Sequence, residues 1–129
     1  MSNLKNLIVD DDEISLMLSE MMFEGDSFFQ EPKKFLDGTY ALEYLKEDYS
    51  HDKTYAIILD INMPLMNGWE FLENIEPFVS ANNTYVFMLS SSSDKADIAK
   101  SDQFNLVKGF FTKPLQKEHL EQIHKLVSK

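Results

Sequence analysis

Residues 7–13 read Leu-Ile-Val-Asp-Asp-Asp-Glu, a short apolar run that ends in four acidic residues. A continuous apolar run of this length, without alternation, is typical of a parallel strand that is buried on both faces. The same kind of run recurs at residues 55–59 and 85–89, and each is followed by a polar residue. These three segments predict the centre of a parallel β-sheet.

Two weaker segments extend this sheet. Phe28, Phe29 and Phe35 indicate a second strand between residues 28 and 35, and Pro32 places that strand at an edge because proline cannot donate to a neighbouring strand. Residues 109–112 indicate a fifth strand.

The segments between the strands have helical periodicity, which predicts five helices near residues 14–22, 41–49, 69–79, 94–104 and 116–128. In the first helix we expect one apolar stripe to face the core: Ile14, Met17, Leu18, Met21 and Met22. The fourth helix has few apolar residues and should pack least firmly. The polar stretch 48–53 is interpreted as a solvated connection. Alternating strands and helices with right-handed crossovers predict an α/β fold with a doubly wound parallel sheet.

The composition is that of one ordinary globular domain: 129 residues, 43% hydrophobic and 26% charged. The net charge is −10 and all 12 basic residues are lysines, which argues against binding to nucleic acid. Without cysteine, disulfides and thiolate nucleophiles are excluded. The N-terminus has neither a signal peptide nor a membrane anchor, so we expect a cytoplasmic protein without membrane contacts.

Chemically active side chains follow four of the predicted strands. Asp10 and Asp11 follow the first, Asp60 the third, Ser90 the fourth and Lys113 the fifth. Each alone has an ordinary structural explanation, such as a helix N-cap or a surface lysine. However, the carboxyl ends of parallel strands meet at one edge of the sheet, where such folds bind their ligands. We therefore expect the five side chains to converge.

Neighbouring carboxylates repel one another, so this cluster needs a counter-charge, and all-oxygen ligands favour Mg²⁺. Lys113 and Ser90 offer a positive charge and a hydroxyl donor to a phosphoryl group. The histidines follow none of the predicted strands, and we interpret them as surface residues: His51, His119 and His124. A carboxylate nucleophile remains, and Asp60 is the candidate.

Together these segments resemble the receiver domains of two-component response regulators. The resemblance covers essentially the whole chain and rests on residues 7–13, 59–64 with 67–68, 88–91 and 110–115. It implies a flavodoxin-like, five-stranded sheet of order 2-1-3-4-5 with five helices. Because the 129 residues end with the last predicted helix, we expect residues 1–129 to form a single, stand-alone receiver domain without an output domain; the alternative is a piece of a longer hybrid protein.

The resemblance implies that Asp60 is the phosphoacceptor. Asp11 would bind Mg²⁺, or Mn²⁺ in its place, directly, and Asp10 would bind it largely through water. The backbone carbonyl of Asn62 would complete the protein ligands. A second register pairs Asp11 with Asp12 instead, but it leaves Asp10 inside the strand and ranks second.

Ser90, on the same resemblance, follows the phosphoryl group on activation, and Phe110 is the switch aromatic. Lys113 would contact the phosphoryl group, and the peptide bond between Lys113 and Pro114 would be cis, which X–Pro bonds tolerate at low cost. Phe110 lacks the hydroxyl of the more common tyrosine, so hydrogen bonding by that hydroxyl cannot be part of its switch.

The implied function is a receiver that accepts a phosphoryl group from a sensor histidine kinase or a histidine phosphotransfer protein and signals to a downstream protein target. Such a receiver is no conventional enzyme, because it catalyses only its own phosphorylation and dephosphorylation. Two alternatives remain. One is a metabolite phosphatase or phosphotransferase with an aspartate nucleophile, although haloacid-dehalogenase-like enzymes need an acid where this chain has Asn62. The other is a phosphorylation-inert interaction module, against which the intact set of site residues argues.

Overall fold

The computed structural model describes residues 3–29, 31–91 and 94–128. Within these ranges strands and helices alternate: β1 (Leu4–Val9), α1 (Glu13–Glu24), β2 (Lys33–Phe35), α2 (Gly38–Asp48), β3 (Thr54–Asp60), α3 (Gly68–Ile75), β4 (Thr84–Ser90), α4 (Lys95–Ser101), β5 (Val107–Thr112) and α5 (Lys117–Val127). All neighbouring strands pair in parallel, in the order β2-β1-β3-β4-β5. The predicted doubly wound α/β fold and its strand order are confirmed, and β2 lies at an edge.

The sheet is covered on both faces. Because successive side chains of a strand point to opposite faces, Ile57 packs with α2 and α3 on one side, whereas Ile58 packs with α1 and α5 on the other. This two-sided burial is the reason why the central strands are continuous apolar runs. In the part of the chain that the structure describes, no helix has the length and apolar character needed to cross a membrane.

The prediction for the buried face of α1 is wrong. Four residues of the predicted core stripe are largely exposed: Ile14 66%, Met17 50%, Leu18 43% and Met21 56%. The buried face consists instead of Leu16, Ser19 and Phe23. The side chain of Asp12 caps this helix by accepting from the backbone N–H of Ile14. Ser19 lowers the hydropathy of the true inner face, so the periodicity favoured the outer one.

The second strand is also shorter than predicted, since β2 contains only residues 33–35. Phe28 and Phe29 lie before it in a turn, where the backbone N–H of Phe28 donates to Asp26 Oδ1 at 2.9 Å. Phe29 is buried against the α1 and α5 side of the core. The ring of Phe28 stacks on His124 with centroids 3.6 Å apart. The phenylalanines thus contribute to packing and not to the sheet.

The third helix ends before its predicted boundary. It stops at Ile75, and Pro77, which has no backbone N–H to continue the helical hydrogen bonds, follows two residues later. The fourth helix is short, and only Ser101 among its residues is buried.

Candidate functional site

The carboxyl edge of the sheet brings together the residues that the sequence placed after the strands. Asp10 follows β1, Asp60 and Ser90 end β3 and β4, and Lys113 follows β5. Asp10, Asp60 and Ser90 are only 1%, 5% and 1% exposed. Polar side chains are buried at this depth only when they have partners or a ligand.

Three carboxylates meet at this edge. One oxygen from each of Asp10, Asp11 and Asp60 lies within 4.8 Å of the others. The ammonium nitrogen of Lys113 lies 3.1 Å from Asp10 Oδ2 and 3.6 Å from Asp60 Oδ1. One ammonium cannot balance three carboxylates, so the cluster has the charge and the all-oxygen donor set that suit a hard divalent cation.

Burial, reinforced by the negative charge of Asp10, raises the pKa of Asp60 to about 7, although the ammonium of Lys113 opposes this rise. Burial alone would lower the pKa of Lys113, but its contacts with Asp10 and Asp60 outweigh burial and raise it. Lys113 therefore stays charged at neutral pH. A bound cation would favour the ionised form of Asp60 as well.

Asp10 is held by donors on both of its oxygens. The backbone N–H of Asp12 donates to Oδ1 at 3.0 Å, and the hydroxyl of Ser15 donates to Oδ2 at 2.6 Å. Ser15 is not among the residues predicted from the sequence, because its only signal is its place in the first turn of the helix that follows the acidic run. Since the carboxylate of Asp12 caps α1, the arrangement favours Asp10 with Asp11 over the alternative register.

The loop after Asp60 is fixed against the sheet by a glycine. The N–H of Gly68 donates to the carbonyl of Ile61 at 2.8 Å. A Cβ atom on Gly68 would lie 2.8 Å from the carbonyl oxygen of Asp60, so a larger residue cannot approach this closely. Asn62, the predicted carbonyl ligand, is exposed in this loop, two residues after Asp60.

The predicted switch residues lie on the two neighbouring strands. Ser90 ends β4, and its carbonyl accepts from the N–H of Lys113 at 2.7 Å. Phe110 on β5 is half-buried and lines a cleft between α4 and β5 with Ile98 and Ser101. The peptide bond between Lys113 and Pro114 is cis.

Of the two histidines of α5, His124 is exposed as predicted, whereas His119 is not a simple surface residue. His119 is half-buried and stacks on Phe111, with ring centroids 4.3 Å apart. Its Nδ1 accepts from the backbone N–H of Gln116 at 3.0 Å. His124 stacks on Phe28. Both imidazoles therefore contribute to packing.

Comparison with known proteins gives a consistent picture. A family model described as "Response regulator receiver domain" matches residues 7–125. A probable methanogenesis regulatory protein, FilR2, from Methanothrix harundinacea is 28% identical over 118 residues, which are 90% of this chain and 76% of that protein.

Two crystal structures are similar over nearly the whole length of both chains. A two-component response regulator from Cytophaga hutchinsonii has a TM-score of 0.89 and 30% identity, covering 97% of this chain and 96% of that one. A two-component response regulator from Legionella pneumophila has a TM-score of 0.80 and 27% identity, covering 97% and 98%. With a family model that matches all but the ends of the sequence, this chain belongs to the response regulator receiver domain family.

Proposed function

We propose that this chain is a phosphorylation-switched receiver of a two-component or phosphorelay system. Its phosphoryl donor is a phosphohistidine of a sensor histidine kinase or a histidine phosphotransfer protein, and its acceptor is Asp60. The observation that carries the proposal is the meeting of Asp10, Asp11 and Asp60 within 4.8 Å, beside the ammonium of Lys113.

Asp11, Asp60 and the carbonyl of Asn62 would hold Mg²⁺, or Mn²⁺, directly, and Asp10 would hold it through water. When bound, the cation neutralises the carboxylates and the oxygens of the transferring group. A carboxylate oxygen of Asp60 then attacks phosphorus, and the bond from phosphorus to the donor's imidazole nitrogen breaks. Lys113 stabilises the negative charge on the transferring oxygens.

Phosphorylation adds negative charge where Ser90 and Lys113 can contact it. Ser90 moves to the phosphoryl group, and Phe110 changes its packing in the cleft behind. The sparsely buried α4 lies over that cleft and is the element whose position this change biases. A downstream protein that distinguishes the two positions receives the signal.

Beryllofluoride, which imitates an aspartyl phosphate, tests the proposal directly. Trp69 is the single tryptophan of the sequence and follows Gly68, which contacts the backbone of Asp60, so its fluorescence should report binding. With Mg²⁺ present we expect a fluorescence change in the wild type and none in Asp60→Asn. The matched control is Asp52→Asn, which changes an exposed aspartate and should respond like the wild type.

Acetyl phosphate provides a second arm. A mass increase of one phosphoryl group, absent in Asp60→Asn, supports the proposal. Rapid turnover of sugar phosphates would instead indicate a metabolite phosphatase, and a wild type that responds to neither reagent would indicate an inert interaction module.

A further inference from the structure

The hydroxyl of Ser15 makes the shortest contact to Asp10, at 2.6 Å, and donates to the same oxygen, Oδ2, that Lys113 approaches to 3.1 Å. Two donors therefore share one carboxylate oxygen. Asp10 is 1% exposed, so bulk water cannot readily replace either of them.

The ammonium of Lys113 forms ion pairs with two carboxylates, those of Asp10 and Asp60. It lies closer to Asp10 Oδ2 than to Asp60 Oδ1, at 3.1 Å against 3.6 Å. A phosphoryl group on Asp60 would add oxygens that compete for this ammonium. Any movement of Lys113 towards them weakens its bond to Asp10. The cost of that movement depends on what else donates to Oδ2.

From this geometry we infer that Ser15 is a positioning residue, which keeps Asp10 Oδ2 hydrogen-bonded when Lys113 turns to the phosphoryl group. The inference rests on the proposed function and deepens it. Ser15 donates to Asp10, and through Asp10 it lowers the free-energy cost of the exchange of partners. Losing a donor to a buried charged acceptor should weaken phosphoryl-analogue binding about tenfold.

The hydroxyl of Ser15 can be removed without disturbing the cap of helix α1. Ser15 contributes its backbone N–H to the cap of α1, where it donates to Asp12 Oδ1 at 3.5 Å, and alanine keeps that N–H. Alanine is also the best helix former, so Ser15→Ala should fold. Ser15→Thr keeps a hydroxyl on the same Cβ atom and is the conservative rescue. Ser19→Ala makes the same change one turn further along α1.

The experiment measures two affinities in each variant, using the fluorescence of Trp69. With saturating Mg²⁺, the dissociation constant for beryllofluoride should rise about tenfold in Ser15→Ala and remain within about twofold of the wild type in Ser15→Thr and Ser19→Ala. The affinity for Mg²⁺ alone should change less than about twofold, because Lys113 still occupies Asp10 before the phosphoryl analogue binds. Urea unfolding of each variant confirms that it is folded.

Three results would overturn the inference: an unchanged beryllofluoride affinity in Ser15→Ala, an equal loss in Ser15→Thr, or a loss confined to Mg²⁺. Failure of the proposed function looks different. In that case the wild type itself would not bind beryllofluoride, or Asp60→Asn would bind it equally well.

Discussion

The two ends of the sheet each hold a lysine–aspartate pair, but the balance of donors and acceptors differs. At the amino end, Asp48 accepts from the ammonium of Lys53 and from the hydroxyl of the buried Tyr55, both at 2.9 Å. At the carboxyl end, one ammonium, that of Lys113, serves two carboxylates, with a third beside them. In the first cluster each carboxylate oxygen of Asp48 has a donor, whereas in the second the negative charges outnumber the positive one.

The pKa values of the two aspartates move in opposite directions for this reason. Burial would raise the pKa of Asp48, but hydrogen bonds from Lys53 and Tyr55 outweigh it and lower that pKa. Burial and the charge of Asp10 raise the pKa of Asp60 to about 7. A carboxylate whose charge is balanced by its own donors stabilises the fold. A carboxylate that lacks such donors can instead bind a cation or act as a nucleophile. The two clusters differ in charge balance: one ammonium faces one carboxylate at the amino end, and one ammonium lies among three carboxylates at the carboxyl end.

The largest effect on stability should come from removing the carboxylate of Asp48 at the amino end of the sheet. Asp48→Ala removes the carboxylate that accepts from the ammonium of Lys53 and the hydroxyl of Tyr55, and leaves both donors only the backbone carbonyl of residue 48. We expect the free energy of unfolding to fall by about 2 kcal/mol, measured by urea denaturation, because the pair is partly exposed to solvent. Asp52→Ala removes an exposed carboxylate four residues away and should change the stability by less than about 0.5 kcal/mol. Equal losses in both variants would contradict a structural role for the cluster.

Asp60→Asn should raise the free energy of unfolding, whereas Asp48→Ala lowers it. The folded-state pKa of Asp60 lies above its ordinary value of 3.8, so its contribution to stability is fully present below pH 3.8 and is lost as the pH rises to about 7. Removing the charge should stabilise the protein by about 2 kcal/mol at pH 8 without divalent cations, as measured by urea unfolding. The gain should shrink at pH 5, where the folded wild type is already protonated. A destabilised variant at pH 8 would show that Asp60 has more donors than the comparison allows.

The comparison also shows what the sequence could predict. The strand ends could be predicted because a buried parallel strand is a continuous apolar run that ends at the first polar residue. Asp60 and Ser90 are such residues. The amino-end cluster was missed: residues 48–53 looked like a solvated connection. Its order comes from Tyr55, an apparently apolar strand residue whose hydroxyl reaches back to Asp48.

The role of Ser15 and the orientation of α1 were hidden for a related reason. Hydropathy gives the period of a helix, but both faces of α1 carry apolar residues, so the period alone does not select the buried face. The same rotation places Ser15 against Asp10. The orientation of α1 thus determines both the packing of the helix and the position of Ser15 beside Asp10, and periodicity alone does not predict it.

Mg²⁺ should distinguish the two ends of the sheet, because only the carboxyl end should bind it. At a Mg²⁺ concentration ten times its dissociation constant, the wild type should gain about 1.4 kcal/mol of stability, seen as a rise in Tm. Asp48→Ala should start from a lower Tm and gain the same amount, since its cluster lies at the other end of the sheet. Asp60→Asn should gain clearly less. A full gain in Asp60→Asn would place the cation elsewhere.

The smallest effect concerns His119, near the start of α5. Burial lowers the pKa of His119, partly opposed by the charge of Glu118, and its Nδ1 accepts from Gln116, which requires that nitrogen to be unprotonated. A histidine with a depressed folded-state pKa stabilises the protein fully above 6.5, and that contribution is lost as the pH falls through the lower folded value. This dependence runs opposite to that of Asp60, so the two partly cancel in the wild type.

His119→Gln should therefore reduce the loss of Tm between pH 7 and pH 5. The corresponding difference in the free energy of unfolding should be less than about 1 kcal/mol, because the half-buried ring is partly screened by solvent. His51→Gln, at an exposed loop position, is the matched control and should follow the wild type. If His119→Gln instead made the protein more sensitive to acid, the imidazole would have to be protonated in the folded state, and its bond to Gln116 could not be the one described.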